Sequence, residues 1–443
     1  MNPLLLPEIL LHLRRLIPSW TTPLHKGLVR NFRPKTLLAC LLVCRAWNTA
    51  LHPLLWHVLD TNQEESRYAR ISADTFSKNA RHVRIFIGNP PVFGAAHCLP
   101  NLVELSFWTP NRDDSTSEED TARCNMLALN SHIRKLTWEG PLDLQPLRTE
   151  PLTQLSWLTH LRLYQWQGSG GALKRVLDAV AATLISLQLD HVHGVEDTGL
   201  ENVCLPLVTN LDITLTSMPT SAPSQGLWEL VRRCPNLLSL EASLDMLIWI
   251  QLYQQPTWPS TWLRASAPPS LTSLEFTNLR TETEVLEAIQ SIPTLASFKC
   301  EVSAMSVAIA RTLVSCHART LRRIHLKMFS GERFCIESCA ILLESLPELE
   351  SLHIDDCSCN IPEEELLERI FRQPWLCIGL KELCLPWLWM VHASAKDGCI
   401  CDLATRVLCA TTVLACAGNA GAEMGQHQSD RVHPKQCSER VES

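Results

Sequence analysis

An excess of basic residues is the first thing this chain lacks. Lysine and arginine number 39 against 46 aspartates and glutamates, a net charge of −7. Binding to nucleic acid or to an anionic membrane surface draws on a basic face, so neither is expected here. Long apolar runs are missing as well. No stretch reaches the roughly 18 apolar residues of a membrane span. The best candidate, Val407 to Gly418, is short and contains Thr411 and Thr412. The opening MNPLLLPEILLHLRRLIP has no basic n-region, and Pro7 and Glu8 break its apolar run, so it does not read as a secretion signal. No Asn-x-Ser/Thr sequon occurs. The 19 cysteines are odd in number and scattered, and Cys40, Cys44 and Cys204 sit inside apolar runs. Disulfide frameworks belong to short secreted domains with paired cysteines. Free cysteines that pack as small hydrophobes suit a reducing, cytoplasmic or nuclear compartment.

Enzyme signatures are also missing. There is no G-x-x-x-x-G-K-[ST], no H-E-x-x-H and no G-x-S-x-G. Gly168-Ser169-Gly170-Gly171 reads as a turn with a helix cap rather than a phosphate cradle. The C-x-C pairs Cys357/Cys359 and Cys399/Cys401 lack the spacing and second pair of a zinc site, and no RING-like array exists. Cys44 has apolar neighbours, and Arg45 alone does not make a catalytic site. No catalytic residue, cofactor or metal is expected, and the chain reads as a non-enzyme.

What is present is a repeat. The chain is longer than the roughly 250–300 residues at which single cores stop growing, and 46% of it is apolar. The pattern L-x-x-L-x-L recurs from residue 102 to residue 385, among others as LVELSF, LTHLRL, LISLQL, LTSLEF, LRRIHL and LESLHI. HVRIFI (82–87), centred on Ile85, is a weaker first copy. Central apolar residues are spaced 20 to 34 apart, at and beyond the 20–29 of a leucine-rich repeat. The last two apolar places are two apart, the strand period. Between strands lie helical spacings: Leu173, Val176, Leu177, Val180; Val285, Leu286, Ile289, Ile292; and Leu366, Leu367, Ile370, Phe371. Cys234-Pro235, Ile292-Pro293 and Leu346-Pro347 mark helix stops before strands.

Such a unit cannot bury its apolar face alone, so neighbours must stack. The expected architecture is α/β: an irregular leucine-rich-repeat solenoid, or horseshoe, over 61–390. A doubly wound sheet is the alternative, but its strands would be apolar on both faces. Residues 110–120 (PNRDDSTSEED) read as an inserted loop or disordered segment, and 391–443 as a disordered tail. Most of the 14 tryptophans, such as Trp138, Trp228 and Trp375, read as core.

Residues 1–60 have another character. Pro7 suits the first turn of a helix carrying Ile9, Leu10 and Leu13. A second helix is expected from Pro34–Thr36 with Leu37, Leu38, Leu41 and Leu42. A third carries Ala46, Trp47, Ala50 and Leu51 and ends near Pro53. A unit this small is marginal alone. Leu6-Pro7-Glu8-Ile9-Leu10, Leu42-Val43-Cys44-Arg45, Trp47 and Leu55-Trp56 together resemble the F-box. The segment Trp20 to Arg33 is longer than in many F-boxes. With the repeats behind it, the chain is similar to fungal-type F-box and leucine-rich-repeat proteins. The resemblance implies a small helical bundle that docks on a Skp-type adaptor, and through it on a cullin–RING ubiquitin ligase. It assigns adaptor binding to Leu6, Pro7, Ile9, Leu10, Leu42, Val43, Cys44 and Trp47. The competing reading makes these the core of a helical cap to the solenoid.

The repeats would then hold an unknown protein target; a ligase-independent scaffold is the other reading. Between the paired apolar places, each strand residue should face the concave side. That places Asp212, Glu241 and Glu275 in one acidic column, followed by Lys299 and His325, with Arg323 nearby and Trp108 as an outward anchor. Either the column is a solvated face, which tolerates like charges at about 1 kcal/mol per pair, or it receives a basic target segment while Lys299, Arg323 and His325 meet an acidic one.

Overall fold

The computed structural model describes residues 34–61, 72–88, 98–107, 117–139, 146–166, 171–192, 200–215, 230–244, 268–279, 282–302, 306–328, 336–356 and 375–384. Leu6, Pro7, Ile9, Leu10, Trp108, Trp228, the two C-x-C pairs, the 366–371 helix and the 391–443 tail lie outside them. Two compact units divide the chain. One is Met1–Pro256 with Ala265–Leu271, and the other is Thr257–Arg264 with Thr272–Ser443. No helix among the described residues is long and apolar enough to cross a membrane.

The first unit opens with a helix pair, α1 (Pro34–Leu41) and α2 (Arg45–Leu55). The third helix of the sequence reading is α2, which passes through Pro53 and ends two residues beyond it, at Leu55. Proline lacks the N–H that a helix interior would use, but near the end of a helix the fold tolerates the loss. Eight parallel strands follow in chain order: β1 (Val58–Asp60), β2 (Ile85–Ile87), β3 (Glu104–Phe107), β4 (Lys135–Glu139), β5 (His160–Tyr164), β6 (Ser186–Asp190), β7 (Asn210–Leu215) and β8 (Ser239–Leu244). Parallel neighbours require crossover connections. Helices α3 (Ala73–Asn79), α4 (Ser117–Leu129), α5 (Pro146–Thr153) and α6 (Ala172–Val180) lie in four of them. The acidic stretch expected as a loop is in part helical, because its last four residues open α4. Acidic residues are favoured in a first helical turn by the macrodipole. Gly171 caps α6 at φ +75, a left-handed conformation that glycine adopts without strain.

The described residues of the second unit form five parallel strands: β9 (Ser273–Leu279), β10 (Ser297–Val302), β11 (Arg323–Met328), β12 (Ser351–Asp356) and β13 (Glu382–Cys384). Helices α7 (Glu282–Ser291), α8 (Val307–His317) and α9 (Ile336–Ser345) lie between the first four. Helices α7 and α9 stop one residue short of Ile292-Pro293 and Leu346-Pro347, where the sequence places the breaks.

Register explains the motif. Leu105, Leu136, Leu161, Leu187, Leu211 and Leu240 lie opposite one another, as do Phe107, Trp138, Leu163, Leu189, Ile213 and Ala242, and all are buried. In the second unit Leu274, Phe298, Ile324 and Leu352 form the matching buried row. Each fully buried leucine contributes about 1.5–3 kcal/mol, so a row of six outweighs any polar detail of the sheet. The first copy is shifted by one residue: Phe86, not Ile85, stands opposite Leu105. Three apolar residues in succession, Ile85-Phe86-Ile87, leave the pattern ambiguous, and the strand pairing decides it.

A second device joins the repeats. The carbonyl of the residue before most strands accepts two N–H groups, from the residue before the next strand and from that strand's first residue. Thr159 O takes Ile185 N at 2.8 Å and Ser186 N at 3.0 Å; Arg322 O takes Glu350 N at 2.7 Å and Ser351 N at 3.0 Å. The residue just before the first leucine of a motif adds a side-chain bond to the preceding turn. Asn101 donates to Arg81 O, Thr183 to Leu158 O, Asn236 to Pro206 O and Thr320 to Leu295 O, at 2.6–2.8 Å. That Asn/Thr-Leu pairing is a sequence signal the repeat reading passed over.

Candidate binding faces

Two surfaces carry the residues that the sequence singles out. The first is the connection between α1 and α2. Helix α1 ends at Leu41, Leu42 N and Val43 N bond to the carbonyls of Ala39 and Cys40, and Cys44 is extended. This turn throws its side chains outward. Leu42 is 80% and Val43 52% exposed, Cys44 is exposed and Trp47 half-buried, while Leu41 and Leu51 are buried beneath them.

The second surface is the helix-free side of each sheet, which carries the residues between the buried places. In the first unit its middle row reads Ser106, Thr137, Arg162, Gln188, Asp212, Glu241. It is not open throughout. Arg162 is 4% exposed and donates to the Asp190 carboxylate at 2.7 Å; Thr137 is buried beside it. Glu104, in the neighbouring row, is buried too, and burial raises its pKa against the lowering pull of Lys135. Glu104 Oε1, Thr137 Oγ1 and Arg162 Nε lack a hydrogen-bond partner among the described residues. Asp212 and Glu241 stand directly opposite, both half-buried, as the column reading requires.

In the second unit the same row reads Glu275, Lys299, His325, His353, Cys384. Glu275 is not simply one more acid: its carboxylate is ion-paired with Lys299. Lys327 pairs with Glu301 at 2.8 Å. The rings of His325 and His353 lie 5.6 Å apart, and His353 Nε2 is 3.5 Å from Glu382. Alongside runs a row of three serines, Arg323 and Glu382, in the order Ser273, Ser297, Arg323, Ser351, Glu382. The two rows enclose a hollow of about 250 Å³, open to solvent. No cluster of three or more His, Cys, Asp or Glu fit to hold a metal occurs among the described residues.

No family model matches this sequence, and no curated protein does. Among solved structures the chain is similar to the leucine-rich repeat-containing protein LegL7 from Legionella pneumophila. The two are 15% identical over 72% of this chain and 90% of that one, with a TM-score of 0.36. The fold assignment rests on the strand register of each unit, not on this likeness. Cysteine chemistry finds no support at the buried thiols: Cys234 is pushed up to about 12 and Cys377 to about 11, in each case chiefly by burial. A thiol in that state is a poor nucleophile.

Proposed function

We propose that this chain is the target-binding subunit of a Skp–cullin–F-box type ubiquitin ligase. The N-terminal helices dock the adaptor, and the repeats hold the target protein. The chain performs no chemistry itself. It supplies proximity, raising the effective concentration of target lysines near activated ubiquitin. It works in the cytoplasm or nucleus, where that machinery resides. The observation that carries the reading is the exposed Leu42-Val43 turn, in the segment whose order of residues resembles the F-box. Two large apolar side chains presented side by side by a short helix pair are what a partner would cover. A ligase-independent repeat scaffold is the second reading; it is favoured by the regular polar rows of both sheets, which suit protein contact with or without an adaptor.

The test is capture of Skp-type adaptor and cullin by the full chain and by the variant Leu42→Asp/Val43→Asp. Both residues are exposed, so folding should be unchanged. Placing charge on a surface that becomes buried forfeits about 1.5–3 kcal/mol per apolar side chain, so capture should fall at least about tenfold. Undiminished capture by the double variant removes the adaptor assignment to this turn. No adaptor captured by the wild-type chain favours the scaffold.

A further inference from the structure

We infer that the hollow on the second unit is a carboxylate clamp: Arg323, flanked by Ser297 and Ser351, takes the side chain of a single aspartate or glutamate on an extended segment of a partner protein. The inference deepens the target-binding reading and rests on it.

The charges in the hollow select Arg323. Lys299 is engaged by Glu275, and Lys327 by Glu301. Glu382 accepts from Ser351 Oγ at 3.0 Å and lies 3.5 Å from His353. Of the acids that border the hollow, Glu275 is held by Lys299, and Glu382, two strands from Arg323, is turned back onto Ser351. Glu350, in the turn before β12, attracts Arg323, but its carboxylate is held by Lys381 at 2.9 Å and lies 3.7 Å from Arg322. Arg323 is exposed at the centre of the polar rows, and its guanidinium has no hydrogen bond or ion pair to another described residue. Ser297 stands directly opposite it on one side and Ser351 on the other.

The shape and charge then choose the ligand. A guanidinium is a planar fork that matches a carboxylate with two parallel hydrogen bonds, and small neighbours leave room for that approach. A hollow of about 250 Å³ is below the usual range for a drug-sized ligand and accommodates a side chain or two. Glu275 is offset by Lys299, so Glu382 is the carboxylate that opposes an incoming anion, and it opposes a doubly charged phosphoryl group about twice as strongly as a singly charged carboxylate. Glu275 and Lys299 offset each other, so the guanidinium of Arg323 is the cation left to meet an incoming anion, with Glu382 as the acid at the far edge of the hollow.

The test uses the full-length chain and three pooled libraries of short peptides, with randomised flanks and a fixed central Glu, Gln or phosphoserine. The Glu pool should be retained about tenfold better than the Gln pool, and at least as well as the phosphoserine pool. Arg323→Gln should abolish that preference, and Arg323→Lys should lose most of it, because a point charge does not replace the fork. Arg323 is surface-exposed, so thermal unfolding of both variants should match wild type. Equal retention of Glu and Gln pools, preference for phosphoserine, or an Arg323→Gln protein that still selects Glu overturns the clamp. Adaptor capture, measured on the same preparations, separates the two readings. Adaptor bound without Glu selection discards the clamp alone. Glu selection without adaptor retains the clamp and discards the ligase.

Discussion

Replacing His317 should loosen the second unit and flatten its pH dependence. His317 closes α8 and is 1% exposed. Its Nε2 lies 2.9 Å from the carbonyl of Ile289, in the last turn of α7. A carbonyl only accepts, so Nε2 carries the proton and caps a carbonyl that the helix leaves orphaned. Nδ1 is buried without a hydrogen-bond partner among the described residues. Protonation would therefore add a buried N–H with nothing to receive it. Burial pushes the pKa below the ordinary histidine value, and the bond to Ile289 pulls part of the way back.

The sign follows from linkage. Below about pH 6.5 the unfolded chain binds a proton at this site that the folded chain does not, so stability falls as pH falls. The loss is at most about 1.4 kcal/mol per pH unit, and it stops once pH passes the lowered folded pKa. His317→Leu fills similar space and leaves the Ile289 carbonyl unmet, so it should cost about 1–3 kcal/mol at neutral pH. His317→Gln keeps a donor and should recover part of that. Below about pH 6.5 the stability curves of wild type and of the leucine variant should converge, because only the wild type titrates here. Hydrogen exchange across α7 and α8, read by mass spectrometry, measures both effects locally. Parallel pH profiles for wild type and His317→Leu would refute the assigned role of the buried imidazole.

Asp190→Ala should cost about 3–5 kcal/mol in urea unfolding by stranding the buried Arg162 charge, whereas Arg162→Met with Asp190→Leu should lie much nearer wild type. A single and a double variant of equal cost would show that packing rather than charge dominates there. In native alkylation at neutral pH, the exposed Cys44, Cys98, Cys204 and Cys316 should label first among the cysteines of the described residues. The buried Cys234 and Cys377 should label only on unfolding; early labelling of either would contradict their burial and raised pKa.

The sequence alone carried the periodic part of this protein. Leu173, Val176, Leu177 and Val180 were legible as one helix face, and all four are buried in α6. Eleven copies of L-x-x-L-x-L located the strands from β3 onward, because a period of two places both leucines on one side of a pleat whatever surrounds it. Acid–base content, motif spacing and the proline stops were legible for the same reason: each is a local property of a few neighbouring residues.

What the tertiary structure decided concerns partners far apart in the chain. Nothing local distinguishes Arg162, buried against Asp190 across a strand boundary, from Arg323, exposed between two serines. Arg162 lies between the paired apolar places of its motif and Arg323 just before them, and neither position by itself says which is buried. Glu275 read as one acid of a column until register set Lys299 opposite it. Likewise, Ile85-Phe86-Ile87 offered two registers, and only the pairing of Phe86 with Leu105 chose one. Periodicity determines which side of a strand a residue occupies; charge pairing, burial and register depend on what the neighbouring repeat, some 25 residues away, places across the 4.8 Å gap.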